Sequence, residues 1–163
     1  MKHLSLIRHA KSSWAEPDLG DFERPLNRRG ERDAPQMGRR FAAVEPLADR
    51  LLASPALRAK RTALLIASEA GLCERLHFER ALYLASPGEM LGLAQEQGDD
   101  VQHLALVAHN PGTTALANLL ADANIQNVPT CGIVRIELDI EHWRDAAPGR
   151  GRLLDFDYPK KGN

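Results

Sequence analysis

Two arginines and two histidines follow short apolar runs of the sequence, where each could act on a ligand. The runs and the residues after them are 4–7 with Arg8 and His9, 51–53 with Arg58, and 104–108 with His109. An arginine presents a planar set of donors that suits a phosphate or carboxylate, and a histidine can serve as nucleophile or general base near neutral pH. Together in one pocket, four such side chains would bind a dianionic phosphoryl group.

Short apolar runs alternate with helical segments along most of the chain. The runs predict strands at residues 4–7, 51–53, 76–79, 104–108, 133–140 and 153–156. Helices are predicted at residues 27–44, 54–70, 86–97 and 110–121, with caps at Asn27, Ser54, Ser86 and Asn110 and a stop at Gly71. Pro55 and Pro111 suit the first helical position, and Glu89 completes a capping box with Ser86.

This alternation predicts the fold class and the place of the site. Strands that alternate with helices indicate an α/β fold of three layers, α/β/α, around a mostly parallel central sheet. The run at residues 133–140 alternates apolar and polar positions, as in a strand near an edge. Ligands of open α/β sheets bind at the carboxyl ends of the strands, so the arginines and histidines are expected to point at one place.

Two segments leave the local structure open. Residues 15–26 form a loop that leaves the carboxyl end of the first strand, so it should pass over or beside the site, with its acids facing solvent. Pro35 falls within the helix predicted at residues 27–44. Proline removes a backbone donor and clashes with the preceding turn, so either the first turn is separate, with a new start near Asp33, or the helix is kinked.

Length and composition exclude several classes of protein. A chain of 163 residues with 44% hydrophobic and 26% charged residues is typical of one globular domain, predicted here to span residues 1–163. The net charge of −1 argues against a nucleic-acid binder. Cys73 and Cys131 lack metal-ligand or disulfide spacing, which indicates free thiols in a reducing compartment. With no apolar run long enough for a signal peptide or a membrane span, the expected location is cytoplasmic.

The sequence also bears on metals and cofactors. Magnesium-dependent phosphoryl enzymes need oxygen ligands for the metal, and no carboxylate cluster with that spacing accompanies the four cationic residues. The cations are therefore expected to replace the metal. No cofactor is predicted.

At this point the sequence resembles a known family. The residues that carry the resemblance are Arg8-His9 after an N-terminal strand, Ser54-Pro55-Ala56-Leu57-Arg58 followed by Thr62-Ala63, and His109-Asn110-Pro111-Gly112. This set is similar to the histidine phosphatase superfamily, also called the phosphoglycerate mutase-like fold. A finer likeness, to the small SixA-like phosphohistidine phosphatases, rests on Arg8-His9-Ala10-Lys11-Ser12, Arg24-Pro25-Leu26-Asn27-Arg28-Arg29-Gly30, Asp33-Ala34-Pro35 and Leu82-Tyr83. The resemblance covers nearly the whole chain.

The resemblance implies a role for each matching residue. His9 would attack phosphorus and carry a phosphohistidine intermediate, while Arg8, Arg58 and His109 hold the phosphoryl oxygens. A loose phosphoryl transition state is stabilised mainly by positioning and fixed positive charge, which agrees with those roles. One ring nitrogen of His9 must be held by an acceptor so that the other points at phosphorus, and the sequence does not identify that acceptor.

Three further positions near the motif remain open. Lys11 and Ser12 either donate to the phosphoryl group or lie in a solvated loop. Glu79, near the third strand, is the candidate for the acid that protonates a leaving group in larger relatives. A phosphohistidine substrate needs less help, because its imidazole leaves neutral when the other ring nitrogen is protonated.

The resemblance implies a metal-independent phosphatase with a role in signal transduction. Its expected partner is a phosphohistidine-containing protein, with neither nucleic acid nor membrane. One alternative is a phosphatase of the same fold that acts on a small phosphorylated molecule. The other is a module that recognises phosphorylated proteins without turnover, against which the intact set of Arg8, His9, Arg58 and His109 counts.

Overall fold

The computed structural model describes residues 1–161, which form a six-stranded sheet and four α-helices. The strands are β1 (Lys2–Arg8), β2 (Arg50–Ala53), β3 (Leu76–Phe78), β4 (His103–Ala108), β5 (Ile133–Leu138) and β6 (Gly151–Asp157). The helices are α1 (Arg28–Ala42), α2 (Leu57–Ala70), α3 (Pro87–Gln95) and α4 (Gly112–Ala121). Every strand and helix predicted from the sequence is present, with ends that differ by at most three residues.

The order of the strands in the sheet is β3-β2-β4-β1-β5-β6. β1 pairs in parallel with β4, β4 with β2, and β2 with β3, whereas β5 is antiparallel to both β1 and β6. The prediction of a mostly parallel sheet is therefore confirmed. This order also makes β2, β4 and β1 neighbours, so their carboxyl ends lie side by side.

Helices cover both faces of the sheet, as predicted. Alternate residues of β1 point to opposite faces: Leu4 and Leu6 belong to one buried cluster, and Ile7 to another. The first cluster lies under α3 and α4, where it includes Met90 and Leu116. The second lies under α1 and α2. Burial of both strand faces explains why the inner strands read as nearly continuous apolar runs.

The start of α2 corrects a prediction. Ser54 was expected to cap this helix with Pro55 at its first position, but the helix begins at Leu57 after Ala56. The hydroxyl of Ser54 lies 2.8 Å from Nε2 of His109, which follows the neighbouring strand β4. Ser54 thus serves a neighbouring strand end rather than the helix.

A smaller shift occurs at α4. Pro111 precedes the first helical residue, Gly112, so neither Asn110 nor Pro111 holds its expected position. Asn110 still stabilises the first turn, because its Oδ1 accepts hydrogen bonds from the backbone N–H and the hydroxyl of Thr114, at 3.2 and 2.8 Å.

α1 is one helix that runs through Pro35. It begins after Asn27, whose Oδ1 accepts a hydrogen bond from the N–H of Gly30 at 2.9 Å. The alternative with a separate first turn is therefore wrong. Burial of the apolar face, which includes Met37 and Phe41, outweighs the backbone hydrogen bond lost at the proline. None of the helices within residues 1–161 has the length and apolar character of a membrane span.

Candidate active site

The structure brings the predicted strand-end residues into one pocket. In the sheet Arg8 pairs with Ala108, so the residues that follow them, His9 and His109, are neighbours with ring centroids 5.2 Å apart. Arg58 reaches the same place from the first turn of α2. The pocket has a volume of about 220 Å³, and its lining is Arg8, His9, Lys11, Ser12, Trp14, Arg24, Arg58, Leu84, His109, Asn110 and Thr130.

His9 is buried and held in one tautomer. Its Nδ1 lies 2.7 Å from the backbone carbonyl oxygen of Ala10. A carbonyl oxygen only accepts, so Nδ1 must carry the proton, and Nε2 keeps its lone pair. Ala10 is thus the acceptor that the sequence did not identify. Burial, more than the hydrogen bond to Ala10 can offset, lowers the pKa of His9 to about 3, so the ring is neutral at physiological pH.

Three buried nitrogen atoms in the pocket residues lack a hydrogen-bond partner within the part of the chain that the structure describes. They are Nε of Arg8, Nε of Arg58 and Nδ1 of His109. Buried polar groups are nearly always paired, because an unpaired one retains the cost of leaving water. The residues that carry these nitrogens line the same pocket as His9, so an anion with several acceptor oxygens fits this site.

His109 can provide a donor if Ser54 sets its tautomer. The hydroxyl of Ser54 accepts from the N–H of Ala56 at 3.3 Å and is free to donate to Nε2 of His109. That arrangement leaves the proton on Nδ1, the nitrogen without a partner. Burial and the nearby charge of Arg58 lower the pKa of His109 to about 4, so this ring too is neutral at pH 7.

The loop at residues 15–26 does pass beside the site. Its Asp21 binds two other residues there, which the sequence did not predict. Arg58 donates to the backbone oxygen of Asp21 at 2.6 Å and to its Oδ2 at 3.0 Å, and the hydroxyl of Tyr83 donates to the same Oδ2 at 2.6 Å. Partial burial raises the pKa of Asp21, but the hydrogen bonds from Tyr83 and Arg58 outweigh it and bring the pKa to about 2. Asp21 is exposed, as expected of a loop acid, yet its carboxylate also binds Arg58 and Tyr83.

A third arginine, Arg24, also lines the pocket. Its side chain is buried and donates to Oγ of Ser12 at 2.8 Å, and its guanidinium lies 3.6 Å from the ring centroid of Trp14. The spacing of the loop carries no helical or strand period that would single out Asp21 or Arg24 among its charged residues. Each of the two is held in place by residues outside the loop: Asp21 by Arg58 and Tyr83, and Arg24 by Ser12.

The positions left open by the sequence divide into two groups. Lys11 and Ser12 line the pocket, and Ser12 is the partner of Arg24. Glu79 does not line it; this residue follows β3, where its backbone N–H donates to the carbonyl of Ala53 at 2.8 Å. The structure therefore brings Lys11 and Ser12, but not Glu79, to the pocket. Within residues 1–161 no three His, Cys, Asp or Glu side chains are placed to hold a metal ion.

Three buried histidines should make stability depend on pH. Burial lowers the pKa of His9 to about 3 and those of His103 and His109 to about 4, from 6.5. Below pH 6.5 the unfolded chain therefore binds more protons than the folded one, so the free energy of unfolding falls as the pH falls, until about pH 3. We expect a loss of roughly 2 kcal/mol per histidine between pH 7.5 and 5.

Urea unfolding at the two pH values measures this loss, in a range where carboxylates stay ionised. The exposed His77 offers a matched control, since His77→Gln should leave the pH dependence unchanged. A free energy of unfolding that stays level from pH 7.5 to 5 contradicts the neutral state of the buried rings.

Comparison with known proteins identifies the family. A model of the histidine phosphatase superfamily (branch 1) matches residues 4–115, the segment that carries Arg8, His9, Arg58 and His109. The chain belongs to the histidine phosphatase superfamily. The resemblance noted in the sequence is thereby confirmed.

Individual relatives extend the match over nearly the full chain. An uncharacterized protein of Mycobacterium tuberculosis is 35% identical over 165 residues, which cover 94% of this chain and 100% of that protein. The SixA structure from Agrobacterium tumefaciens is 28% identical with a TM-score of 0.81, covering 97% of this chain and 98% of that one. The SixA structure from Nakamurella multipartitia has a TM-score of 0.86 at 21% identity, covering 98% and 96%. The phosphoglycerate mutase-like fold predicted from the sequence is confirmed.

Proposed function

We propose that this superfamily member is a phosphohistidine phosphatase that works through a covalent phosphate on Nε2 of His9 and needs no metal. The observation that carries the proposal is the state of His9. Its Nδ1 is engaged by the carbonyl of Ala10, its ring is neutral, and it shares its pocket with Arg8, Arg58 and His109, each of which has a buried nitrogen without a partner. A neutral, oriented imidazole within a set of fixed donors suits nucleophilic attack on phosphorus.

The two steps of the reaction balance without an acid from the enzyme. In the first, the lone pair of Nε2 attacks phosphorus and the P–N bond of the substrate breaks, so its imidazole, protonated on the other nitrogen, leaves as a neutral ring. In the second, water attacks phosphorus, the bond to His9 breaks, and both water protons leave on the phosphate. Throughout, Nδ1 of His9 keeps its proton, which it donates in a hydrogen bond to the carbonyl of Ala10.

The lining of the pocket favours a P–N bond over a phosphate ester. An alkoxide leaving group needs a proton, yet the pocket lining contains neither Asp nor Glu among residues 1–161. Asp21, the nearby carboxylate on Arg58, has a pKa of about 2 and is ionised at neutral pH. Glu79 lies outside the pocket, so we assign it no catalytic role.

A protein substrate is favoured by the size and the rim of the pocket. A volume of about 220 Å³ is small beside the roughly 300–1,000 Å³ usual for small-molecule sites. Trp14 and Leu84 line it while 73% and 57% exposed, and exposed apolar side chains beside a polar pocket suit contact with another protein. The SixA structure from Agrobacterium tumefaciens, 28% identical to this chain, carries the name of a phosphohistidine phosphatase, which also supports this substrate class.

The site also bears on metal use and location. Arg8 and Arg58, with donors from His109, supply the charge that a metal would bring to a phosphoryl group.

Cys73 and Cys131 are both free thiols, which supports a reducing compartment such as the cytoplasm.

A substrate profile tests the proposal. We expect kcat/KM for a phosphohistidine peptide and for phosphoramidate to exceed that for sugar phosphates by about 10²- to 10⁴-fold, the usual contribution of a general acid. All assays contain EDTA, and turnover should persist in it. Faster turnover of a sugar phosphate would move the assignment to a small-molecule phosphatase, and a requirement for added magnesium would refute metal independence.

A further inference from the structure

A buried hydroxyl outside the pocket connects the backbone of His9 to that of Arg58. Thr62 lies one turn after Arg58 in α2, is fully buried, and is not among the pocket-lining residues. Its Oγ1 donates a hydrogen bond to the carbonyl of Arg58 at 2.7 Å and accepts one from the N–H of Ala10 at 2.9 Å. The same Ala10 presents its carbonyl to Nδ1 of His9.

Both polar groups of Ala10 are therefore committed to the site. The N–H belongs to the peptide that joins His9 to Ala10, so the bond to Thr62 fixes the plane of that peptide. The carbonyl on the other side of Ala10 then lies where Nδ1 of His9 can reach it. Ala10 is fully buried, and its N–H would retain an unpaired donor without Thr62. A hydroxyl can donate to Arg58 and accept from Ala10 at once, which a methyl group cannot do.

We propose that Thr62 is a positioning residue that holds the Ala10 peptide, and through it the orientation and tautomer of His9. The inference rests on the proposed nucleophilic role of His9. Because the same hydroxyl binds the carbonyl of Arg58, it also sets the start of α2 relative to the turn after β1. Thr62 acts through Ala10 and touches no reacting atom.

The chain offers a closely matched control in Thr113. This threonine is also fully buried, lies in the first turn of its helix, and donates to the carbonyl four residues before it, that of His109, at 2.9 Å. Thr62 and Thr113 thus make the same donor bond after a pocket residue, but the acceptor bond from Ala10 belongs to Thr62. Comparison of Thr62→Val with Thr113→Val isolates that bond.

Two readouts test the proposal, one of them independent of substrate. In the ¹⁵N–¹H spectrum, Thr62→Val should lose the slowly exchanging Nδ1–H signal of His9, while Thr62→Ser and Thr113→Val keep it. With phosphoramidate, Thr62→Val should lower kcat by about 10- to 100-fold and change KM by less than about twofold, because a nucleophile displaced by about 1 Å loses near-attack geometry. Thr62→Ser should restore kcat to within about threefold of the wild type.

Two results would overturn the role proposed for Thr62. If Thr62→Val retains both the Nδ1–H signal and kcat, the hydroxyl serves packing alone and the proposal is overturned. An equal loss of kcat in Thr113→Val overturns it as well. If the wild type hydrolyses no phosphoramidate, the proposed function fails, and the Nδ1–H signal still decides the role of Thr62. Should the valine variant not fold, Thr62→Cys, whose thiol is a weak acceptor, is measured by the same criteria.

Discussion

Replacing His9 with asparagine should lower kcat/KM for phosphoramidate by at least about 10⁴-fold, the scale of loss when a covalent nucleophile is removed. An asparagine amide can still donate to the carbonyl of Ala10, the bond that Nδ1 makes at 2.7 Å, but it has no atom equivalent to Nε2. The variant therefore tests the nucleophile while it retains the local hydrogen bond. Steady-state kinetics with a burst measurement gives the effect.

The covalent intermediate provides a direct check on the same residue. After rapid quenching with ³²P-labelled phosphoramidate, the wild type should carry an acid-labile, base-stable label on His9. His77→Asn, a change at an exposed histidine that does not line the pocket, should retain both label and rate. Label on a serine or cysteine would contradict the proposed mechanism, as would full activity in His9→Asn.

Replacing Arg58 with alanine should lower kcat/KM by about 10²- to 10³-fold, the usual cost of one donor to a developing anion. Two nitrogens of its guanidinium already bind Asp21, and the buried Nε is the donor without a partner. Arg58→Lys should recover little of the rate, because an ammonium cannot bind Asp21 and the phosphoryl group in the same planar arrangement. The fall in kcat/KM should come from a lower kcat as well as from a higher KM.

Arg61 supplies the control for this experiment. It lies one turn further along α2, half exposed, and pairs with Glu31 at 3.0 Å on the surface. Arg61→Ala removes an equal charge from the same helix and should change kcat/KM by less than about twofold. A comparable fall in both variants would show that net positive charge, rather than the placement of Arg58, governs the rate.

The fold and the main site residues could be predicted from the sequence because their signals are local. An apolar run, a cap such as Asn27 or the capping box at Ser86 and Glu89 reports on residues within one or two turns of itself. Strand and helix alternation then implies a parallel sheet, and a parallel sheet implies a site at the strand ends. Arg8, His9, Arg58 and His109 could be assigned to one pocket on that reasoning together with the resemblance.

Only the tertiary structure decided how those residues are held. The bond from Ala10 to Thr62 joins residues 52 apart in the chain, that from Arg58 to Asp21 joins residues 37 apart, and that from His109 to Ser54 joins residues 55 apart. No periodicity or capping rule relates such positions, because their proximity follows from the strand order and from the path of the loop after β1. Ser54 shows the limit most clearly: its local pattern predicts a helix cap, but the neighbouring strand places His109 beside its hydroxyl. The sequence by itself determined which groups could do the chemistry, and the packing of distant segments determined the hydrogen-bond partners of those groups.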